Sequence, residues 1–214
     1  LLAGGLVACG TAPATTPTTP VAAATARVEF RQIVLDKFDN EDLGWDKFVE
    51  PRKGEAGYDE NRYRIKVLGT NTQIWANPAG IPPLSDVKIL VEAHKDDGDN
   101  NNLFGVICRY VNEKNFYFFV ISSDGHFGIG KVKDGQYQLI NRRDYPPSDA
   151  INTAHKLNEI SAECIGQNLR LFVNGTLVDE QIDTDFTLGN VGLIAAALSG
   201  QTVVVFDNFE VRGP

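Results

Sequence analysis

No run of basic residues occurs in this 214-residue chain, in which 20 Lys and Arg stand against 28 Asp and Glu for a formal charge of −8. Such a surface has nothing with which to neutralise a phosphate backbone, which argues against nucleic acid as a partner. No interior stretch reaches the roughly 20 apolar residues that span a bilayer as a helix. Sustained helical periodicity with caps is missing as well. The chain has no H-E-x-x-H, no G-x-S-x-G elbow and no P-loop, so three common routes to hydrolysis or phosphoryl transfer have no signature here. Its three histidines, His94, His126 and His155, are scattered, without any Cys/His spacing that suggests zinc.

What is present is a strand vocabulary. With 43% hydrophobic residues, 20 Gly and 10 Pro, the chain can build one sizeable core, and its recurring turn dipeptides suit an all-β protein. The stretch from Leu103 to Val132 organises the rest. It reads as a three-stranded meander: Phe104 to Val111, Phe116 to Ser122 after Asn112-Glu113-Lys114-Asn115, and His126 to Val132 after the Asp124-Gly125 turn. A strand as apolar as Phe116-Tyr117-Phe118-Phe119-Val120-Ile121 needs cover on both faces, or a ligand on one. Further strands are predicted at Val28–Leu35, Arg62–Val67, Thr72–Ala76, Val87–His94, Tyr137–Ile140 and Leu157–Ile165. The set is completed by Leu169–Val173, Leu177–Ile182 across an Asn174-Gly175 turn, Val191–Ala197 and Val203–Val211. About a dozen short strands are most naturally buried as a two-sheet antiparallel sandwich.

Residues 1–8 form an apolar run with the character of a signal-peptide remnant, and Leu6-Val7-Ala8-Cys9 resembles a bacterial lipobox, in which the Cys becomes the lipid-modified N-terminus. Residues 9–27 supply that Cys and a Thr/Pro/Ala-rich tether with no core-forming capacity. The expected address is extracytoplasmic, on a bacterial membrane surface through the lipid. Residues 28–214 form the globular domain. The Asn174-Gly175-Thr176 triplet matches a glycosylation sequon but is explained as the hairpin turn itself.

Five pieces together carry a resemblance: Asp36–Trp45, Phe104–Val132, Leu169–Val178, Asp185–Ala195 and Val204–Val211. The chain is similar in them to the concanavalin A-like lectin/glucanase superfamily, and most of all to laminin G-like and 3-keto-disaccharide hydrolase-like extracytoplasmic sandwiches. The resemblance implies a jelly roll whose concave sheet is often a glycan groove. The E-x-D-x-x-E strand of its glucanase members is absent. Glu159 and Glu163 would share a strand face but lie about 13 Å apart at strand rise, too far for a retaining pair. The expected function is therefore non-catalytic carbohydrate binding, with no catalytic residues assigned. The rivals are a structural or adhesion module for protein partners and, after that, a glycoside-active enzyme.

Cys108 and Cys164 sit in strands, each on the inward-facing alternation, so a disulfide between them is expected after export, with two separate buried thiols as the alternative. The first meander strand is predicted to set Phe104, Val106, Cys108 and Tyr110 on the core face and Gly105, Ile107 and Arg109 on the other. One register of the next strand puts Phe116, Phe118 and Val120 outward with Arg109. Arg109, Phe118 and Trp75 are the candidate ligand-binding residues, since aromatic rings stack on sugars and Arg serves their hydroxyls. Asp36, Asp39 and Asp207 flank the terminal strands, neighbours in such sandwiches, and offer oxygens for a structural calcium, with Asp96–Asn100 as a second, separate oxygen-rich cluster. Ordinary turn formation explains the same residues.

Overall fold

The computed structural model describes residues 29–214, with Leu1 and Gly4. Cys9 and the tether to residue 27 lie outside the described residues. Every regular element described is a β-strand, and all pairings are antiparallel. Numbered in chain order, one sheet runs β13 (Thr176–Ile182), β12 (Asn168–Val173), β11 (Asn158–Ile165), β6 (Val87–Gly98), β15 (Thr202–Gly213), β4 (Arg62–Val67), β3 (Gly54–Asp59), β2 (Phe48–Glu50). β1 (Arg31–Asp36) completes its nine strands by pairing with the second half of β15. The other sheet has six strands: β10 (Gln136–Leu139), β9 (Phe127–Lys133), β8 (Asn115–Ile121), β7 (Asn102–Asn112), β14 (Asn190–Ala197) and β5 (Thr72–Ala76). The two pack face to face as a jelly-roll sandwich.

Period-two alternation sets the inner faces. β6 buries Val87, Ile89, Val91 and Ala93, β11 buries Ile160, Ala162 and Cys164, and β8 contributes Tyr117, Phe119 and Ile121 to the same core. The opposite face of the nine-stranded sheet is solvated by a row of alternating charge. Glu180 Oε1 lies 2.6 Å from Arg170 Nε, Arg170 Nη1 lies 3.7 Å from Glu163, and Glu163 Oε1 lies 2.6 Å from Lys88 Nζ. Opposite charges facing one another across strands each contribute a few tenths of a kcal/mol, roughly 0.2–1. β2 and β3 are not anticipated by the sequence. Gly54-Glu55-Ala56-Gly57-Tyr58 has two glycines and no β-branched residue, yet Gly54, at φ 140°, lies so close to the Lys66 carbonyl that a Cβ would stand 1.8 Å from its oxygen.

Cys108 on β7 and Cys164 on β11 are bonded, with Cα atoms 6.8 Å apart, so the bridge ties one sheet to the other through the core. One residue further, the alternation breaks. Cys108 pairs with Tyr117 but Asn112 pairs with Asn115, so β7 carries extra residues opposite β8, and Arg109 adopts φ 51°. This bulge exchanges the expected sides. Tyr110, expected in the core, instead stacks on Phe116 on the outer face at 5.5 Å between centroids. Arg109, expected outside, is 1% exposed and points inward. Its Nε donates to Ser85 O (2.9 Å), Nη1 to Phe186 O (2.9 Å) and Nη2 to Gly166 O (2.8 Å). One guanidinium thereby pins three connecting segments, and burial lowers its pKa from the ordinary value while Tyr117 and Asp86 partly oppose that. Arg109 is a structural clamp rather than a residue of the outer face.

Candidate functional site

The outer face of the six-stranded sheet carries no charge ladder. It is apolar, with a second hydrophobic cluster of Leu103, Ile107, Phe116, Phe118, Val120, Val132, Ile194 and Ala196. The register explains this. Ile107 pairs with Phe118 and Phe118 with Gly130, while Trp75 pairs with Ile194 and Ile194 with Gly105, so these rows share one face. Above the cluster lie partly exposed rings. Trp75 packs on Phe116 at 5.5 Å, and Tyr137 lies 6.2 Å from Phe118 and 6.3 Å from Phe116. Two of the expected ligand-binding residues, Trp75 and Phe118, are thus brought to one face, while Arg109 is not.

Glycines on β9 shape the floor. A Cβ on Gly130 would stand 2.1 Å from Phe118 Cζ, and one on Gly128 would meet the Tyr145 ring at 2.8 Å. Only glycine lets both rings lie down against the strand. Tyr145 comes from the loop before β11, held over the sheet where Phe127 N–H donates to Pro146 O at 3.0 Å. The result is a cleft of about 160 Å³ lined by Leu103, Phe118, Val120, Tyr137, Tyr145, Ile194, Ala196 and Leu198, with Asn71, Thr72 and Gln73 at one rim.

A second, more polar recess adjoins it, sharing Leu103, Tyr145 and Leu198 and adding Asn101, Asn102, Ser122, Asp124 and His126. There the turn between β8 and β9 is closed by Ser122 N–H to His126 O at 2.8 Å. Ser122 Oγ donates to Asp124 Oδ1, and His126 Nδ1 lies 3.0 Å from the same oxygen. A proton on Nδ1 fits that contact and leaves His126 Nε2 directed elsewhere. Burial raises the Tyr145 phenol to about 12. Burial also raises Tyr137, partly offset by a hydrogen bond with Gln73. Both phenols are therefore neutral hydroxyls at physiological pH, able to donate and to accept.

The chemistry on offer is stacking and neutral hydrogen bonding. Among the described residues Asp124 is the one carboxylate lining the cleft and its adjoining recess, whereas glycoside hydrolysis by the usual routes needs two. Nor do three His, Cys, Asp or Glu side chains converge on a metal position among the described residues. The expected grouping of Asp36, Asp39 and Asp207 does not form. Asp36 accepts from Phe38 N–H (2.8 Å) and Trp45 Nε1–H (2.9 Å), Asp39 from Asn40 Nδ2 (2.9 Å), and Asp207 from Asn208 N–H (2.7 Å) at the β15 irregularity. These are turn and strand-end bonds, the alternative that the sequence left open.

No family model matches the sequence, and no curated protein does. Solved structures do resemble it. Carbohydrate-binding module CBM66 from Bacillus subtilis superposes with a TM-score of 0.63 at 17% identity, covering 80% of this chain and 96% of that one. A protein of unknown function with a galectin-like fold, also from Bacillus subtilis, gives 0.58 at 10% identity over 86% and 97%. A GH43 protein from Bacillus licheniformis gives 0.59 at 12% identity, and here this chain spans 86% of itself but only 40% of the hydrolase. At these identities the likeness is one of fold: a two-sheet antiparallel β-sandwich that a solved carbohydrate-binding module, a galectin-like protein and a GH43 protein also contain.

Proposed function

We propose that this protein is a non-catalytic carbohydrate-binding domain that works outside the cytoplasm, held to a bacterial membrane through lipid on Cys9. The observation that carries the reading is the contrast between the sandwich's two outer faces. One is solvated by charge; the other leaves a largely apolar, ring-walled cleft with few polar groups. A well-formed apolar cleft with a few convergent polar groups is the usual form of a small-ligand site, and rings such as Tyr137 and Tyr145 suit the apolar faces of sugars. The CBM66 and galectin-like neighbours support the assignment at the level of fold. The single carboxylate favours binding over hydrolysis. The Cys108–Cys164 bridge supports an oxidising compartment, since such bonds seldom persist in a reducing one.

A glycan-array screen of the purified protein beside its Tyr137→Ala variant tests this. Binding to a defined glycan set that falls about 10-fold or more in the variant at unchanged melting temperature is expected, since an aromatic stacking partner is worth about 1–3 kcal/mol. A blank array for the folded wild-type protein would leave the reading without a ligand and refute it.

A further inference from the structure

The cleft on the six-stranded sheet divides its chemistry sharply, and the division bears on which sugars it takes. Much of its lining is side chains without hydrogen-bonding atoms, Phe118, Val120, Ile194, Ala196 and Leu198, and the phenols of Tyr137 and Tyr145 complete the wall. Phe118, Val120 and Ile194 are each at most 4% exposed, so the floor is rigidly packed rather than a loose collection of surface groups. Beyond those two phenols, the hydrogen-bonding groups are Asn71, Thr72 and Gln73 of the same lining and the Ser122–Asp124–His126 turn in the adjoining recess.

A hydroxyl seated against Val120, Ile194 and Ala196 would exchange water for side chains that offer it no hydrogen bond, a loss that burial makes costly. A methyl group in the same position loses nothing and gains apolar contact. We infer, on the footing of the carbohydrate reading above, that the cleft selects sugars bearing a methyl-terminated substituent, either a 6-deoxy methyl or an acetyl methyl. The methyl group seats against Phe118, Val120, Ile194 and Ala196. The ring hydroxyls lie toward Asp124 and His126, where Nε2 and the carboxylate serve them.

Titration calorimetry on the intact protein with two matched pairs tests the inference: L-fucose against L-galactose, and N-acetylglucosamine against N-formylglucosamine. The methyl-bearing member of at least one pair is expected to bind about 10-fold or more tightly, the discrimination that an apolar pocket achieves on one such group. Ala196 projects into the cleft from the outer face of β14, so Ala196→Leu fills the space while leaving the core alone, and it is expected to remove the preference at unchanged melting temperature. The wild-type comparison stands by itself if that variant does not fold. Equal affinity within both pairs, or tight binding confined to array glycans without any methyl group, overturns the selectivity and leaves carbohydrate binding intact. Absence of binding to these four sugars and to every glycan on the array overturns both.

Discussion

Replacing Arg109 separates its structural role from a role in ligand contact. Its guanidinium serves the carbonyls of Ser85, Gly166 and Phe186 at 2.8–2.9 Å, and Asp86 Oδ1 stands 3.6 Å away. Arg109→Ala leaves three carbonyls without their donor. Taking about 1 kcal/mol for each, the lower end for an unsatisfied group because water can reach some of them, the loss is about 3 kcal/mol before the packing of the stem is counted. Lysine keeps the charge but offers a single ammonium that cannot serve three divergent carbonyls, so Arg109→Lys is expected to lose about 2 kcal/mol. The φ of 51° adds an unusual ordering. Glycine forfeits the same bonds as alanine but relieves left-handed strain, so Arg109→Gly should be less destabilised than Arg109→Ala by about 1 kcal/mol. Urea denaturation read by tryptophan fluorescence measures all three. A loss below about 1 kcal/mol for alanine, or glycine proving worse than alanine, refutes the clamp and the bulge geometry together.

Removing the bridge as Cys108→Ala with Cys164→Ala should lower stability by up to about 4 kcal/mol, the chain-entropy value for a loop of this length; two free thiols in non-reducing peptide maps of exported protein would contradict the bond. At Asp183, burial opposes the charged form. Bonds from Lys131 Nζ, Tyr117 OH and Asp185 N–H outweigh it and hold the carboxyl below its ordinary 3.8. Because that folded pKa is depressed, its stabilisation is complete above the unfolded value and fades as pH falls through the folded one. Asp183→Asn should therefore be less stable at neutral pH and lose less below about pH 4, as melting temperature against pH would show. Cys9→Ser should move the protein from the membrane to the soluble fraction, since stable anchoring needs the acyl chains; unchanged fractionation would count against lipidation.

Much of the fold is legible in the sequence because alternation is a local signal. β4 and β5 match their predicted bounds, and the choice that sends Tyr117, Phe119 and Ile121 inward and Phe116, Phe118 and Val120 outward is the observed one. Cys108 and Cys164 follow from the same parity. Parity fails at Arg109, where nothing local marks a bulge. The bulge has a distant counterpart: a Cβ on Gly189, just ahead of β14, would stand 2.4 Å from the Arg109 carbonyl carbon, so only glycine there leaves room for the kink. Tyr145 was out of reach for a different reason, since a loop residue has no periodicity to say which sheet it covers. The glycines at 128 and 130 are the signal that was available. Alternate glycines on one face of an apolar strand mark a place where rings from elsewhere lie down.

Amide chemical-shift mapping with the tightest-binding array glycan tests the placement of the site most directly. Perturbations are expected to centre on Gln73, Phe118, Val120, Tyr137, Tyr145 and Ile194, the residues of the ring-walled cleft on the six-stranded sheet. Perturbations centred instead on Lys88, Glu163, Arg170 and Glu180, the charged outer row of the opposite sheet, would contradict it.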